Sequence, residues 1–261
     1  MTTLQIQTRG QGPDLVLLHG WAMHSGVFAG LAERLSARYT LHLVDLPGHG
    51  GSRGSALPLA LEPVVEEIAA HAPRALWAGW SLGGLFALHA AATRPEAVRG
   101  LALLCASPRF VRGEDWPLGM SPEIFRGFAL GLRSDYRATL ERFIALEAFG
   151  SDDARHEMRM LREEVFARGE PAAQVLADGL ALLETADLRA TLPGLSMPSL
   201  WLAGRRDRLV DARAMRAAAA QVPGAEVVVV EHAGHAPFLT HADEVAAAIA
   251  ALDARAAGTG R

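Results

Sequence analysis

The stretch that most constrains the fold is a glycine-rich turn between an apolar run and a helical pattern. Residues 75–78 are continuously apolar and predict a buried strand, residues 79–83 are Gly-Trp-Ser-Leu-Gly, and residues 85–92 predict a helix. A strand, a G-x-S-x-G turn and a helix in this order are typical of a nucleophile elbow, where a tight turn lifts the serine hydroxyl above the sheet. We therefore predict that Ser81 is a catalytic nucleophile beside a helix N-terminus.

Short apolar runs alternate with helical patterns on both sides of this turn. The predicted strands cover residues 4–8, 14–18, 40–45, 75–78, 98–104, 198–203 and 226–230. Alternation of strands and helices predicts an α/β fold, with a mostly parallel sheet covered on both faces.

The alternation stops between about residues 110 and 188, where only helical patterning occurs. The predicted helices there cover residues 122–132, 136–149, 152–167 and 171–186. We predict a core formed by residues 1–109 and 190–261, with an inserted all-helical cap at residues 110–189.

Two later loops carry the groups that a catalytic serine requires. The serine needs a base to take its proton, and the base needs an acid to orient it. Asp207 follows the predicted strand 198–203, and His235 follows the strand 226–230. Because functional groups gather at the carboxyl ends of parallel strands, we expect Ser81, Asp207 and His235 to converge. The chain order Ser, Asp, His supports this triad.

Neighbouring residues offer alternatives to this triad. Asp211 is an alternative acid, although its place before an Ala/Arg-rich helix favours an N-cap. His232 is an alternative base or, together with His235, one of two ligands of a metal site. The nearby sequence offers no third ligand at a familiar spacing, so we predict no metal. We also predict no cofactor. We interpret His19, in His-Gly after a strand, as shaping the oxyanion loop rather than transferring protons.

An attacked ester carbonyl becomes an oxyanion, which needs two preorganised N–H donors. The residue after the nucleophile, Leu82, supplies one backbone N–H. The loop His19-Gly20-Trp21 supplies the other, which we assign to Trp21.

Composition and charge limit the classes of partner and the cellular compartment that we expect. A net charge of −4 argues against nucleic acid, and no apolar run is long enough to span a membrane. All 25 basic residues are Arg, which excludes a Lys nucleophile. Cys105 is the only cysteine and lies in an apolar run, so we expect a buried thiol and no internal disulfide. We therefore expect a cytoplasmic protein, and we also expect a monomer.

Several motifs together resemble the α/β-hydrolase superfamily over nearly the whole chain. They are residues 17–21, 45–50 and 79–84, Asp207, and residues 234–238. Within the superfamily, residues 19–21, 41–48, 79–84, 142–146 and 235–238 are most similar to the esterases that act on pimeloyl-acyl-carrier-protein methyl ester in biotin synthesis. The resemblance implies a serine carboxylesterase that uses no cofactor and releases methanol from a substrate carried by acyl carrier protein. The alternatives are a general short-chain carboxylesterase or lactonase with the same triad, and a ligand-binding, hydrolase-like receptor.

The resemblance also implies which residues bind the substrate and its carrier. The acyl chain would contact Trp21, Ser81, Leu82, Phe143, Ile144, Ala145, Leu146, Glu147 and His235. Glu147 stands where the family has an uncharged polar residue. The acidic carrier would contact Arg142, Arg155 and Arg159, and also Arg137, which lies one position from its counterpart.

A helical wheel of residues 152–167 supports a basic surface on the cap. Arg155, Arg159 and Arg162 fall on one side. The adjoining apolar face holds Ala154, Met158, Leu161 and Val165, and the acidic residues Asp153, Glu157 and Glu164 lie opposite. The alternative is an ordinary solvated face with i,i+4 charge pairs.

Overall fold

A seven-stranded sheet forms the centre of the molecule. The structure is a computed structural model and describes residues 4–258. The strands are β1 Ile6–Gly10, β2 Asp14–Leu18, β3 Thr40–Val44, β4 Ala75–Trp80, β5 Val98–Leu104, β6 Ser199–Gly204 and β7 Glu226–Val230. Their order across the sheet is β1-β3-β2-β4-β5-β6-β7. The pairing of β1 with β3 is antiparallel, and the other pairings are parallel.

Helices cover both faces of this sheet, as predicted. They are α1 Ala29–Leu35, α2 Leu61–His71, α3 Leu82–Thr93, α4 Pro122–Ser134, α5 Tyr136–Ala148, α6 Ala154–Ala167, α7 Ala173–Thr185, α8 Ala212–Ala219, α9 Pro237–Thr240 and α10 Ala242–Gly258. Helix α10 packs on β5, β6 and α1, whereas α3 packs on β4, β5 and α2. No helix within residues 4–258 is both long and apolar enough to cross a membrane.

The central strands form where the sequence is continuously apolar. Every residue of β4 and β6 is buried, which is expected of parallel strands covered on both faces. Strands β2, β5 and β7 have the predicted bounds, while β1 begins two residues later than predicted. Helix α3 begins at Leu82 rather than at residue 85, because the chain turns sharply at Ser81.

Four helices, α4 to α7, lie between β5 and β6. Each has bounds within two residues of its prediction. Between β5 and β6, where every residue is described, the chain has no strand and only two isolated bridges, Val111 with Met120 and Gly113 with Trp116. Helix α7 contacts α3, and α6 contacts the 3-10 turn Ser25–Phe28 and α9, so the helical segment lies against the core beside the ends of β4 and β7.

Candidate active site

Ser81 lies at the sharp turn between β4 and α3. Its backbone has φ 53° and ψ −118°, a conformation that L residues rarely adopt. A Cβ on Gly79 would lie 2.3 Å from the Gly83 oxygen, and one on Gly83 would lie 2.3 Å from the Leu18 oxygen. Strand and helix therefore pass so closely that only glycine fits at both positions.

This close crossing makes a prediction for Gly83→Ala. The new methyl group would overlap the main chain of β2, so we expect the free energy of unfolding to fall by about 1–3 kcal/mol and esterase activity to drop with it. Thermal unfolding and ester hydrolysis measure the two effects. Gly127→Ala in helix α4 is the matched control, because no neighbouring atom lies within 4 Å of the place that its Cβ would occupy. Equal melting temperatures for Gly83→Ala and the wild type would contradict the crossing.

His235 and Asp207 form a buried hydrogen-bonded pair. His235 Nδ1 lies 2.8 Å from Asp207 Oδ2, and both side chains are fully buried. The other carboxylate oxygen of Asp207 accepts from the backbone N–H groups of Leu209 at 2.8 Å and Val210 at 3.0 Å. With Nδ1–H donated to the carboxylate, Nε2 is the ring nitrogen left to accept a proton. Within residues 4–258, Nε2 has no hydrogen-bond partner.

The loop that carries His235 is fixed to the serine turn. Trp80, the residue before Ser81, donates its Nε1–H to the His235 carbonyl at 2.8 Å. The two rings are 5.7 Å apart between centroids. The structure therefore brings the three predicted residues to the same edge of the sheet.

The alternative acid and base lie elsewhere. Asp211 caps α8, where its side chain accepts from the Arg213 N–H at 2.8 Å. The His232 side chain is 64% exposed and pairs with Asp152 at 3.0 Å. Neither residue belongs to the buried pair.

The loop of residues 19–21 lies against the serine turn. His19 Nε2 accepts from the Leu46 N–H at 3.0 Å, so its Nδ1–H donates to the Gly20 oxygen at 2.8 Å. Burial, and then the nearby charge of His49, lower the pKa of His19 to about 3, which keeps the ring neutral. A Cβ on Gly20 would lie 3.3 Å from the Ser81 Cβ. His19 thus has the structural position expected of a residue that shapes this loop.

The two predicted oxyanion donors are Leu82, which follows Ser81 in the chain, and Trp21, which follows the Gly20 that packs against Ser81. Leu82 is the first residue of α3, where a backbone N–H has no partner inside the helix. Trp21 is fully buried and donates its Nε1–H to the Leu176 oxygen of α7 at 2.8 Å. The Trp21 ring also packs edge-on against Phe143, with centroids 4.6 Å apart. These contacts anchor the Trp21 side chain against α5 and α7.

An apolar cavity reaches Ser81. Its other lining residues are aromatic or aliphatic: Phe110, Met120, Phe125, Phe128, Phe143, Leu180, Leu183 and Leu209. Most of them belong to the helical segment between β5 and β6. Such a lining suits an aliphatic chain whose reacting end lies at the serine.

The other residues predicted to bind the acyl chain are distributed differently. Phe143 lines the cavity, whereas Ile144 is buried outside its lining, Leu146 is half-buried and Ala145 is exposed. Glu147 is buried, and burial followed by the charge of Glu157 raises its pKa well above the usual value. Contact of these four residues with substrate stays a prediction.

The predicted arginines are all exposed, but only some are free of acidic partners. Arg155 has no ion pair among the described residues, and Arg159 bonds to His156 at 2.9 Å. Arg142 bonds to Thr139, while Arg137 is paired with Glu170. Arg162, the third member of the predicted stripe, pairs with Glu141 at 2.9 Å.

The wheel of α6 was right about the burial of Leu161 and Val165 but wrong about Glu157 and Met158. Glu157 is fully buried together with Leu161 and Val165, whereas Met158 is 37% exposed. The loop that carries His235 packs on the side of α6 that holds Glu157. The sequence pattern of α6 does not predict that contact.

Cys105 lies at the end of β5 beneath the Asp207–His235 pair. Burial raises its pKa well above the usual value, so it stays a thiol, as expected of a core cysteine. Its sulfur lies within 4.8 Å of the facing atoms of Asp207 and His235. A neutral thiol beside an imidazole already bonded to its carboxylate favours a hydrogen-bonded cluster over a metal site.

A serine on a strand-to-helix turn, followed by an Asp and a His on the loops after β6 and β7, defines the class of hydrolases built on a parallel sheet. The model of the "Alpha/beta hydrolase family" matches residues 15–248. The chain therefore belongs to the alpha/beta hydrolase family.

Two relatives show the similarity in more detail. The chain is 61% identical over 246 residues to the pimeloyl-[acyl-carrier protein] methyl ester esterase of Xanthomonas axonopodis pv. citri (strain 306), covering 94% of this chain and 97% of that protein. It is 59% identical to the esterase of the same name from Stenotrophomonas maltophilia (strain K279a), covering 94% and 95%. The resemblance predicted from the motifs is confirmed.

Solved structures confirm the fold. A bromoperoxidase from Bacillus anthracis superimposes with a TM-score of 0.84 at 19% identity, covering 95% of this chain and 94% of that one. The enol-lactonase from Burkholderia xenovorans LB400 gives 0.82 at 22% identity, covering 95% of both chains. At these identities the likeness concerns the fold alone.

Proposed function

We propose that this protein is a serine carboxylesterase that hydrolyses the methyl ester of pimeloyl-acyl-carrier protein to pimeloyl-acyl-carrier protein and methanol. The observation that carries the proposal is the 61% identity, over 94% of the chain, to a protein named for this activity. The apolar cavity that ends at Ser81 supports it, because a pimeloyl chain is aliphatic between its two carbonyl groups.

The geometry suits a two-step mechanism. Ser81 Oγ attacks the methyl ester carbonyl while His235 Nε2 takes its proton. Asp207 holds Nδ1–H and stabilises the imidazolium. The N–H groups of Trp21 and Leu82 bind the oxyanion, His235 returns the proton to the departing methanol, and the acyl group stays on Ser81. Water then attacks the acyl-enzyme, with His235 as its base, and releases the acid.

The helical segment provides the surface for the carrier. We assign residues 110–189 to a cap inserted into a core of residues 1–109 and 190–261, because this segment supplies most of the cavity wall. Acyl carrier protein is acidic, so Arg142, Arg155 and Arg159 are the proposed contacts. Arg137 is a weaker candidate, since it is already paired with Glu170.

A charge-reversal experiment tests the carrier surface. We expect Arg155→Glu/Arg159→Glu to lower kcat/KM for the carrier-bound ester roughly tenfold or more and to weaken its salt dependence, because charges at an interface rim mainly steer association. Turnover of a free aryl ester should persist. The control is Arg38→Glu/Arg74→Glu, which makes an equal change of charge at exposed positions. These residues precede β3 and β4 and so lie at the amino ends of the strands, away from the carboxyl ends where the site is. Equal losses in the two double variants would remove the carrier surface from the proposal.

The same comparison separates the alternatives. Cleavage of free esters or lactones alone would indicate a general esterase or lactonase. Binding without repeated turnover would indicate a receptor, although the intact Asp207–His235 pair argues for catalysis. A monomeric state and a cytoplasmic location stay predictions, which size-exclusion chromatography and cell fractionation test.

A further inference from the structure

The end of α5 and the chain that follows it pack against the loop that carries His235. The main-chain oxygen of Glu147 accepts a hydrogen bond from the His235 backbone N–H at 3.3 Å. The Asp152 backbone N–H donates to the main-chain oxygen of His232, also at 3.3 Å. A Cβ on Gly234 would lie 3.3 Å from the Glu147 oxygen. The backbone of the proposed catalytic histidine is therefore supported from the cap as well as from the core.

Glu157 of α6 faces the same loop with a side chain that the mechanism does not use. The residue is fully buried, and within residues 4–258 neither carboxyl oxygen has a partner at good hydrogen-bond geometry. The Ser151 hydroxyl and the Ala236 N–H are the neighbouring polar groups that favour its charged form. A buried carboxyl with so little support costs stability, so its presence next to His235 calls for a functional explanation.

The charges around Glu157 make it sensitive to pH near neutrality. Burial raises its pKa to about 7, with Ser151, a charged His235 and the Ala236 N–H opposing the rise and Asp207 adding to it. Burial, followed by the charges of Glu157 and Asp207, also raises the pKa of Glu147 in α5 well above its usual value.

The remaining elements around α6 add few charges near Glu157. Helix α9 and the turn Ser25–Phe28 contain no charged residue, and His24, before that turn, faces Glu164 two turns along α6. The Cys105 thiol, under the same loop, stays protonated. Glu157 is thus a group that changes its charge near pH 7 beside the proposed general base.

We propose that Glu157 is a positioning residue for His235: its buried carboxyl faces the Ala236 end of the histidine loop from the cap and, when ionised, stabilises the imidazolium that forms during the reaction. A negative charge beside an imidazole favours the protonated ring. This inference rests on the proposed function, because it assigns a role toward the base of that reaction.

The test is the pH dependence of Glu157→Gln with a free aryl ester as substrate. Glutamine keeps the size and an acceptor oxygen but not the charge. In the wild type we expect kcat/KM to rise through two coupled ionisations on the acid side. In the variant we expect one ionisation, displaced to lower pH by roughly half a unit or more. The plateau of kcat should fall about tenfold, the equivalent of one pKa unit of lost charge stabilisation, with KM nearly unchanged.

Glu163→Gln is the matched control, because it removes the same charge from an exposed position of the same helix. Its pH profile should equal that of the wild type. An unshifted acid limb in Glu157→Gln, with or without a lower plateau, would overturn the proposal, since a purely structural role lowers activity without moving the limb.

Glu157→Asp keeps the test decisive if the Gln variant does not fold. The shorter side chain retains the charge but withdraws it from Ala236, so we expect a lower plateau with both ionisations still present. A wild-type plateau in Glu157→Asp would contradict the positioning role. The aryl ester separates the two proposals. Wild-type protein that cleaves the aryl ester but not the carrier-bound ester would contradict only the proposed substrate. Cleavage of the aryl ester by Ser81→Ala would contradict the proposed function.

Discussion

Replacing Ser81 by alanine is expected to lower kcat for ester hydrolysis about 10⁶-fold, because no acyl-enzyme can form without the nucleophile. The fold should survive, since only one oxygen atom is lost from a residue at the wall of the cavity. Initial rates with the carrier-bound and the free ester measure the loss, and the melting temperature checks the fold.

The control for this change is Ser107→Ala. Ser107 is equally buried, but its hydroxyl bonds to the Arg109 oxygen and it is not among the residues lining the cavity. We expect its folded fraction to keep wild-type activity. Residual hydrolysis by Ser81→Ala within tenfold of the wild type would exclude Ser81 as the nucleophile.

Asp207→Asn is expected to lower kcat about 10⁴-fold with little change in KM, as the equivalent change does in a serine protease triad. The amide NH₂ would face Nδ1 and favour the tautomer with the proton on Nε2. That tautomer cannot take the proton of Ser81. Steady-state kinetics above and below pH 7 measure the loss.

Asp211→Asn is the matched control for Asp207→Asn. Asp211 lies four residues further along the chain and caps α8, and asparagine is nearly as good an N-cap. We expect unchanged kcat in this variant. A large loss with Asp211→Asn and none with Asp207→Asn would exchange the roles of the two acids.

The parts of the fold that follow local rules could be predicted from the sequence. Strands β2, β5 and β7 are apolar runs with clear ends, and their predicted bounds are those of the structure. The turn at Ser81 was predictable because Gly79 and Gly83 are required by the close crossing of strand and helix. Pairing of Asp207 with His235 followed from their places after two strands of one parallel sheet.

The parts that depend on remote packing could not be predicted. A helical wheel orders the side chains of α6 but does not say what lies against them, so it missed the burial of Glu157 and the exposure of Met158. Likewise, nothing local to the arginines shows that Arg162 pairs with Glu141 of α5 or that Arg137 pairs with Glu170. These contacts join segments that only the tertiary structure brings together.

We expect Ser81 to direct hydrolysis of the methyl ester of the carrier-bound substrate, and the intact mass of the carrier reports this reaction. Acyl carrier protein loaded with pimeloyl methyl ester is incubated with wild-type enzyme and with Ser81→Ala, and its intact mass is followed. We predict that the wild type yields a carrier lighter by one CH₂ group, still bearing its acyl chain, and that Ser81→Ala leaves the mass unchanged. Release of the bare carrier by thioester cleavage, or conversion by Ser81→Ala, would show that Ser81 does not direct hydrolysis of this methyl ester.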